Sequence, residues 1–490
     1  MSPLTLLWVL PLAGAAACLL AGRFGRTAAR LCALASSCAH AGACLAVIKP
    51  FIAGGGAGLI AVGGEPLAFG VSYLLAADGF SLALIGLTSF LTLVCVVSSW
   101  ELEVSAAYWA NFLALASALC GVFLARDLFI FYVFWEATLI PMFFIIGLWG
   151  SENRRHAAVK FFLFTFAGSV FMLLALLALV SAHHGATGVW TWDLQALKSA
   201  PLGAAGPWVF AGLLLGFGVK IPVVPLHTWL PDAHTEAPAA GSVMLAGVML
   251  KMGLYGLIRV AFPLFATLSE AWAPWLAGLA ALNAVYGALC AMAQTDLKRL
   301  IAYSSIAHLG FCLLGVLSRT DQGLAGGGLQ MINHGLTTGA LFLMVGFLYE
   351  RAHKRGLADF GGLAVRAPWL TFFFGFSMLA SIGLPGLNGF VGEFMSLSGV
   401  AHSAVPLLSV PFFAVAGVVG VTLAAAYALP AYQAVFWAPE APQSVSGRVT
   451  DLDAREKGIL WALSALMLWI GLAPQSWLTL IEPSLRGLVR

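Results

Sequence analysis

Six ionisable residues stand inside apolar runs of this 490-residue chain. Glu136 lies in "FYVFWEATLIPMF", Lys220 closes "LLLGFGVK", Lys251 sits in "AGVMLKMGLYG", His308 in "SSIAHLGF", His334 in "QMINHGLTTG" and Glu393 in "GFVGEF". A charge at the centre of a bilayer costs about 2.5–3.5 kcal/mol on insertion scales, so its repeated acceptance marks a path for protons or ions. Free lysine, with a pKa of about 10.4, is too basic to exchange protons near neutral pH. Burial lowers that value and a nearby carboxylate raises it again. A buried lysine whose carboxylate partner approaches and withdraws therefore loads and releases a proton. Lys220 has Pro222 and Pro225 directly after it, and Glu136 is the carboxylate within the preceding spans. Each proline lacks an N–H, which strips the carbonyls of Gly218 and Ile221 of helical partners and gives the lysine a hinge and room for water.

Each residue also has a plainer reading. Glu136 and Lys220 would equally form a static ion pair, and Lys251 a structural cation without room to snorkel. His308 and His334 would be hydrogen-bonded core histidines, and Glu393, nearer a span end, is more easily solvated. Metal ligation by the histidines is disfavoured, because no i,i+4 partner or companion carboxylate accompanies them. His183 and His184 read as a solvated pair in an outer loop.

The elements that must position these residues follow from composition. The chain is 61% hydrophobic and 9% charged, against about 25% charged in soluble domains, and its mean hydropathy is +0.95. No aqueous fold hides that much apolar surface; the chain is an integral membrane protein. Its net charge of +3 is too small and dispersed for nucleic acid. The apolar N-terminus has no basic leader, so a retained first span is expected rather than a cleaved signal. Eight cysteines form no C-x-x-C pair and no nucleotide fingerprint occurs. No nucleotide, flavin, iron–sulfur centre or metal is expected in this chain itself.

Uncharged apolar runs give about fourteen spans: 2–22, 29–48, 80–99, 105–125, 127–149, 159–182, 204–228, 238–261, 271–292, 300–318, 325–349, 368–400, 406–436 and 457–480. With the N-terminus outside, 15 Lys/Arg fall in inward connections and 7 outside, Arg259, Arg319 and Arg490 among the latter and Lys298 among the former. That bias places both termini outside. The connections near 50–79, 183–203 and 437–456 are too short for cores of their own, so residues 1–490 form one membrane domain.

Two spans look broken. The first is 204–228; the second, 368–400, carries Pro385 among Gly383, Gly386 and Gly389. As one helix the second would run roughly 50 Å, beyond an apolar core of about 30 Å. Two broken spans five apart fit inverted repeats, about 105–261 and 271–436, preceded by N-terminal helices over 1–104 and followed by a final helix at 457–480. This is transporter logic, with binding sites at broken helices near the midplane.

Four stretches, "FWEATLIPMFFIIGLWG", "VKIPVVPLHTWLPDAHTEAPAAGSVMLAGVMLK", "AQTDLKRLIAYSSIAHLGF" and "LPGLNGFVGEF", closely resemble the antiporter-like membrane subunits of respiratory complex I, bacterial NADH:quinone oxidoreductase. The resemblance covers nearly the whole chain. It implies an all-α, polytopic fold of fourteen helices with two inverted five-helix repeats and discontinuous seventh and twelfth helices. It assigns Glu136, Lys220 and Lys251 to the fifth-, seventh- and eighth-helix positions of a proton path, His308 and His334 to a polar central axis, and Glu393 to its twelfth-helix end. Sibling subunits usually carry lysine at that last position. His227 and Asp232 match the motif without a firm role. The chain ends soon after its last span, where the L-type sibling is expected to continue into a long lateral helix. The implied partners are other complex I membrane subunits, including flanking L- and N-type subunits, and the lipid bilayer. The implied FMN, iron–sulfur clusters and quinone lie in other subunits, and the implied location is a bacterial inner membrane. A subunit of a multisubunit cation/proton antiporter, a close relative, is the alternative.

Overall fold

The computed structural model describes residues 2–405, 407–440 and 444–486; Arg490, counted above with the outward charges, lies outside them. Among the described residues, twelve helices are long and apolar enough to cross a bilayer. All fourteen expected runs carry helix, though three are interrupted or bent in ways that matter.

The helices sort by burial. The outermost, such as Pro3–Phe24, Arg26–Ala53 and Pro411–Phe436, bury only about a third of the residues in their apolar stretches, as apolar side chains facing lipid need no protein cover. By contrast the apolar stretches of Ala239–Leu264 and Asp321–Ala352 are wholly buried, and that of Leu297–Leu317 nearly so. These three central helices carry Lys251, His334 and His308.

Acidic and hydroxyl caps set where several helices begin, by accepting N–H groups that have no partner in the first turn. Asp78 accepts from Ser81 N, Asp127 from Phe129 N and Ile130 N, Asp296 from Lys298 N and Arg299 N, and Thr320 from Gly323 N. Asp453 and Glu456 form a reciprocal capping box. Asp127 also accepts from Ser72 N at 2.7 Å, which ties its helix to a two-stranded hairpin, Ile60–Pro66 with Ser72–Ala77. That hairpin is the one departure from an all-α fold among the described residues, and it occupies a connection where no structured element was expected.

The first broken span runs as helix over Gly206–Lys220, loses helical form, and resumes at Trp229–Glu236. Gly218 O, deprived by Pro222, accepts instead from Val223 N at 2.9 Å. The second breaks between Pro368–Ser381 and Asn388–Ala401, as expected from Pro385 and its glycines.

The last span differs from expectation. It ends at Leu472 rather than continuing to 480, and a second helix, Gln475–Leu485, leaves at 74°. Pro474 is the cause, since it bars its predecessor from helical geometry and Ala473 sits at φ −134°, ψ 58°. The short helix turns back against the Gly79–Ser98 and Asp321–Ala352 helices.

Three further expectations are corrected by burial. Arg259 and Lys298, both counted with the connections, are 5% exposed. Arg259 lies within the Ala239–Leu264 helix, where its guanidinium pairs with Asp78, and Lys298 enters the first turn that Asp296 caps. His183 is buried because the Arg154–Thr187 helix runs on past it; its neighbour His184 stacks on Trp190 at 4.0 Å.

Candidate functional site

Four of the six candidate residues form one continuous line across the central helices. Lys251 Nζ bonds the carbonyl of Ala246 and lies 2.7 Å from His334 Nδ1. The His334 and His308 rings stand 5.7 Å apart between centroids. His308 Nδ1 meets Glu393 Oε1 at 3.1 Å, and His308 Nε2 meets Ser381 Oγ at 3.0 Å. A cavity of about 10 Å³ lies between the two histidines, lined also by Gln330, Asn333 and Ser381. That is room for about one water.

Local backbone explains how Lys251 reaches inward. The Ala239–Leu264 helix contains π-helical segments at Leu245–Met249 and Leu257–Ala261. Such bulges shift the register of the residues after them and recur at functional sites. Lys251 follows the first bulge and turns its amine back onto Ala246 within it. Its helix meets the Asp321–Ala352 helix closely: a Cβ on Gly335 would stand 2.8 Å from the carbonyl oxygen of Gly247. Glycine at that crossing lets Lys251 and His334 touch.

Glu393 is buried rather than solvated, at 4% exposure. It accepts from Gln330 Nε2 at 3.1 Å as well as facing His308. Ser381 ends the first half of the second broken span and Glu393 belongs to its second half. His308 therefore bridges the break from a neighbouring helix.

Glu136 and Lys220 stand apart from this line. Lys220 is 1% exposed and its Nζ has no hydrogen-bond partner among the described residues. The amine lies over the faces of Phe161 at 5.5 Å and Trp135 at 5.8 Å. Glu136 is its carboxylate neighbour, with Ser169 and Tyr132 also near, yet the two form no ion pair within 4.0 Å. The static pair considered above is thus not closed in this structure. Glu136 sits one residue before Ala137, where the Leu128–Ala137 helix gives way at Thr138 to Leu139–Trp149.

The residues that hold the two breaks were not singled out from sequence. Asn283, fully buried, accepts from Val224 N at 2.8 Å and donates to Pro222 O at 3.2 Å. Trp229 Nε1 adds a bond to Val219 O. At the second break Asn388 and Asn333 clasp each other's backbones, Asn388 Nδ2 to Asn333 O at 3.2 Å and Asn333 Nδ2 to Asn388 O at 2.7 Å. The available signal was an asparagine in an apolar run, as in "AALNAVYG", since a buried amide must find partners. The room for water expected beside Lys220 is also different in kind. A cavity of about 440 Å³ flanks the break, but Leu, Val and Trp side chains line it. Such a space suits hydrocarbon rather than water.

His227 precedes the second half of the first broken span, Trp229–Glu236, and Asp232 lies in its first turn. Asp232 pairs with Lys160 at 2.6 Å and Arg299 at 3.7 Å, which fastens that half-helix to two neighbours. His227 packs edge-on against Tyr286 at 5.5 Å.

A buried row of amine, two imidazoles and a carboxylate, with bonds shorter than about 3.2 Å at its ends, can pass protons without a redox centre. The family model for the transmembrane region of NADH:quinone oxidoreductase and Mrp antiporter proteins matches residues 125–424. The NADH-quinone oxidoreductase subunit M of Rhodobacter capsulatus is 42% identical over 431 residues, covering 86% of this chain and 83% of that protein. The protein of the same name from Escherichia coli K12 is 40% identical over 415 residues, covering 83% and 80%. Among solved structures, a chain of respiratory complex I from Thermus thermophilus with bound NADH superposes with a TM-score of 0.87 at 33% identity, covering 99% of this chain and all of that one. A chain of the Mrp complex from a Dietzia species reaches 0.86 at 22% identity, covering 99% and 97%, a likeness of fold alone.

Proposed function

The chain belongs to the NADH:quinone oxidoreductase/Mrp antiporter membrane family, and from that premise we propose that it is a proton-translocating membrane subunit of an NADH:quinone oxidoreductase, in the place that subunit M holds in its relatives. The observation that carries this reading is the row Lys251–His334–His308–Glu393, bonded at both ends with room for one water between the histidines.

Each step in that row conserves one proton. The Lys251 ammonium gives a proton to His334 Nδ1, and the amine is left neutral. His334 releases a proton from Nε2, which has no hydrogen-bond partner among the described residues, toward His308 through the one-water cavity. His308 Nδ1 hands a proton to Glu393 Oε1. Every step runs equally well in reverse, so direction is imposed from outside the row. Lys220 and Glu136 supply that control in our reading. An ammonium in a dry site is costly without a counter-charge, so closing or opening the gap to Glu136 changes the field on the next lysine. Pro222 and Pro225 beside Lys220 leave the backbone a place to yield.

In this reading the chain carries no redox step. FMN, iron–sulfur clusters and quinone belong to other subunits, and L- and N-type subunits flank it in a bacterial inner membrane with both termini outside. Residues 105–261 and 271–436 form the two inverted repeats, a division supported by one clasped break in each. The likeness to the Mrp chain adds architecture and no function.

The test is proton uptake per NADH oxidised in inverted vesicles carrying Lys251→Ala, Lys220→Ala or Glu136→Gln, after assembly of the complex is verified. Pumping and turnover collapse together if these residues carry or gate protons. Wild-type rate and ratio in all three would leave them structural and overturn the reading.

A further inference from the structure

A groove of about 450 Å³ lies between the Arg26–Ala53 and Gly79–Ser98 helices and the bend at Pro474. Leu45 and Ile48 line it from the first helix, Leu82 and Phe90 from the second, and Leu336 from the central Asp321–Ala352 helix. Trp469 and Trp477 line it from the two arms of the bend. One end of the groove is marked by three segments that meet there. The helix carrying Lys49 ends at Ala53, the next begins at Gly79, and the short helix Gln475–Leu485 lies against both. Gly79 has no room for a Cβ against Leu480 O, and a Cβ on Gly56 would stand 3.3 Å from Thr479 O. Phe90 follows Gly79 by eleven positions, about 16 Å along the helix axis. That is roughly half of an apolar core of about 30 Å, the depth of a single leaflet.

The polar groups of the lining gather at that end: Lys49, Ser476 and the Trp477 indole. Lys49 is exposed and has no ion pair within 4.0 Å among the described residues. Trp469 and Trp477 stand edge to face at 5.6 Å, and Trp477 Nε1 is buried with no hydrogen-bond partner among the described residues. A buried indole N–H ordinarily finds an acceptor. Below these groups the lining is wholly apolar. A lone cation and an idle donor above an apolar cleft one leaflet deep fit an anionic head on a hydrocarbon tail. A helix does not fit: at 10–12 Å wide it would need roughly 1,200 Å³ over the same depth.

We propose that this groove binds one acyl chain of an anionic phospholipid, with the phosphate at Lys49 and a phosphate or ester oxygen accepting from Trp477 Nε1. Lysine near the membrane surface attracts anionic lipid by about 1 kcal/mol, and the indole pair sits where tryptophans favour the interface. The tail packs on Leu336, the residue after Gly335, and on Leu87, whose Cδ2 borders the same glycine. It therefore backs the helix crossing that brings Lys251 to His334. The site stands whether or not the chain moves protons; only the choice of leaflet, the outer one, follows from the orientation proposed above.

The test uses the assembled complex in phosphatidylcholine vesicles that contain a small proportion of phosphatidylglycerol with a diazirine near the end of one acyl chain. After irradiation, adducts are mapped by peptide mass. The expected result is labelling within residues 82–90 and 332–336. Excess unlabelled phosphatidylglycerol cuts that labelling at least five-fold, and the same excess of phosphatidylethanolamine does not. Lys49→Gln, at an exposed position, lowers capture at least five-fold with assembly unchanged. Gly86→Leu, which sets a side chain beside Ile48 in the groove, abolishes it. Should Gly86→Leu not assemble, Lys49→Gln decides alone. Equal suppression by both lipids, or full capture in Lys49→Gln, means that bulk lipid meets the groove without selection and overturns the proposal. Absence of adducts, as when a neighbouring chain or a quinone tail fills the groove, overturns it too.

Discussion

Lys251 Nζ and His334 Nδ1 are 2.7 Å apart, on two helices whose apolar central stretches are wholly buried. Both side chains are buried, and beside the Ala246 carbonyl that Lys251 also bonds, each is a polar partner of the other. The contact depends on a crossing at which Gly335, the residue after His334, leaves no room for a side chain against Gly247 O.

Gly335→Ala puts a methyl carbon 2.8 Å from that backbone oxygen and 3.0 Å from Leu87. The helices must part by several tenths of an ångström, at a cost of about 1–3 kcal/mol typical of overpacked cores. The expected outcome is a lower thermal midpoint of the purified complex and weaker pumping, although no ionisable group has been altered. Unchanged pumping would mean that the Lys251–His334 contact tolerates a wider gap.

Asn283→Ala leaves Val224 N and Pro222 O without their partner at the first break. Each buried group so orphaned costs about 1–3 kcal/mol. Hydrogen exchange should accelerate over residues 223–228 while the Gly206–Lys220 helix keeps its protection. Equal acceleration across both segments would show that Asn283 holds the whole span rather than its break.

Ser381→Ala and Glu393→Gln separate holding from carrying at the second break. The serine only accepts or donates one bond to His308, so its loss costs about 0.5–1.5 kcal/mol and pumping should stay within two-fold of wild type. Glu393→Gln preserves hydrogen bonding to His308 but cannot take up a proton, so pumping should fall at least ten-fold with assembly intact. The reverse order in proton uptake per NADH would make Glu393 a strut and Ser381 the functional contact.

Asp78 and Arg259 form a buried ion pair, joined by Arg126 at 3.7 Å from the same carboxylate. Removing one partner of such a pair costs about 3–5 kcal/mol, because the other is left charged and dry. Asp78→Ala should therefore abolish most assembly, visible as loss of the chain from the membrane fraction. Asp78→Leu combined with Arg259→Met should recover part of it. No recovery would point to the bond from Arg259 to Ser484 O, which pins the final short helix, as the larger contribution.

Much of the molecule was legible along the chain. Apolar runs located the helices, because transfer of side chains out of water is a local property summed over a span. Prolines and glycines located both breaks, since a missing N–H acts on the carbonyl four residues before it. The six candidate residues stood out for the same reason: an acid, base or imidazole in an apolar run is expensive wherever the run packs. The one interruption read wrongly, at Pro474, fell where the apolar pattern continued past the bend and masked it. Arg259 and Lys298 were assigned to connections because sequence places a charge near a helix end without saying what lies beyond that end.

Partnership was decided by the tertiary structure alone. Which face Lys251 turns to His334 depends on a π-bulge, a glycine crossing and the rotation of two helices 83 positions apart in the chain at those residues. Helix rotation and crossing angle follow from the packing of many side chains at once, and no short stretch encodes them. That packing joins His308 to Glu393, leaves Lys220 without a bonded partner among the described residues, and brings asparagines from other helices to both breaks. The sequence by itself determined which residues would be costly to bury; the fold decided which of them share that cost.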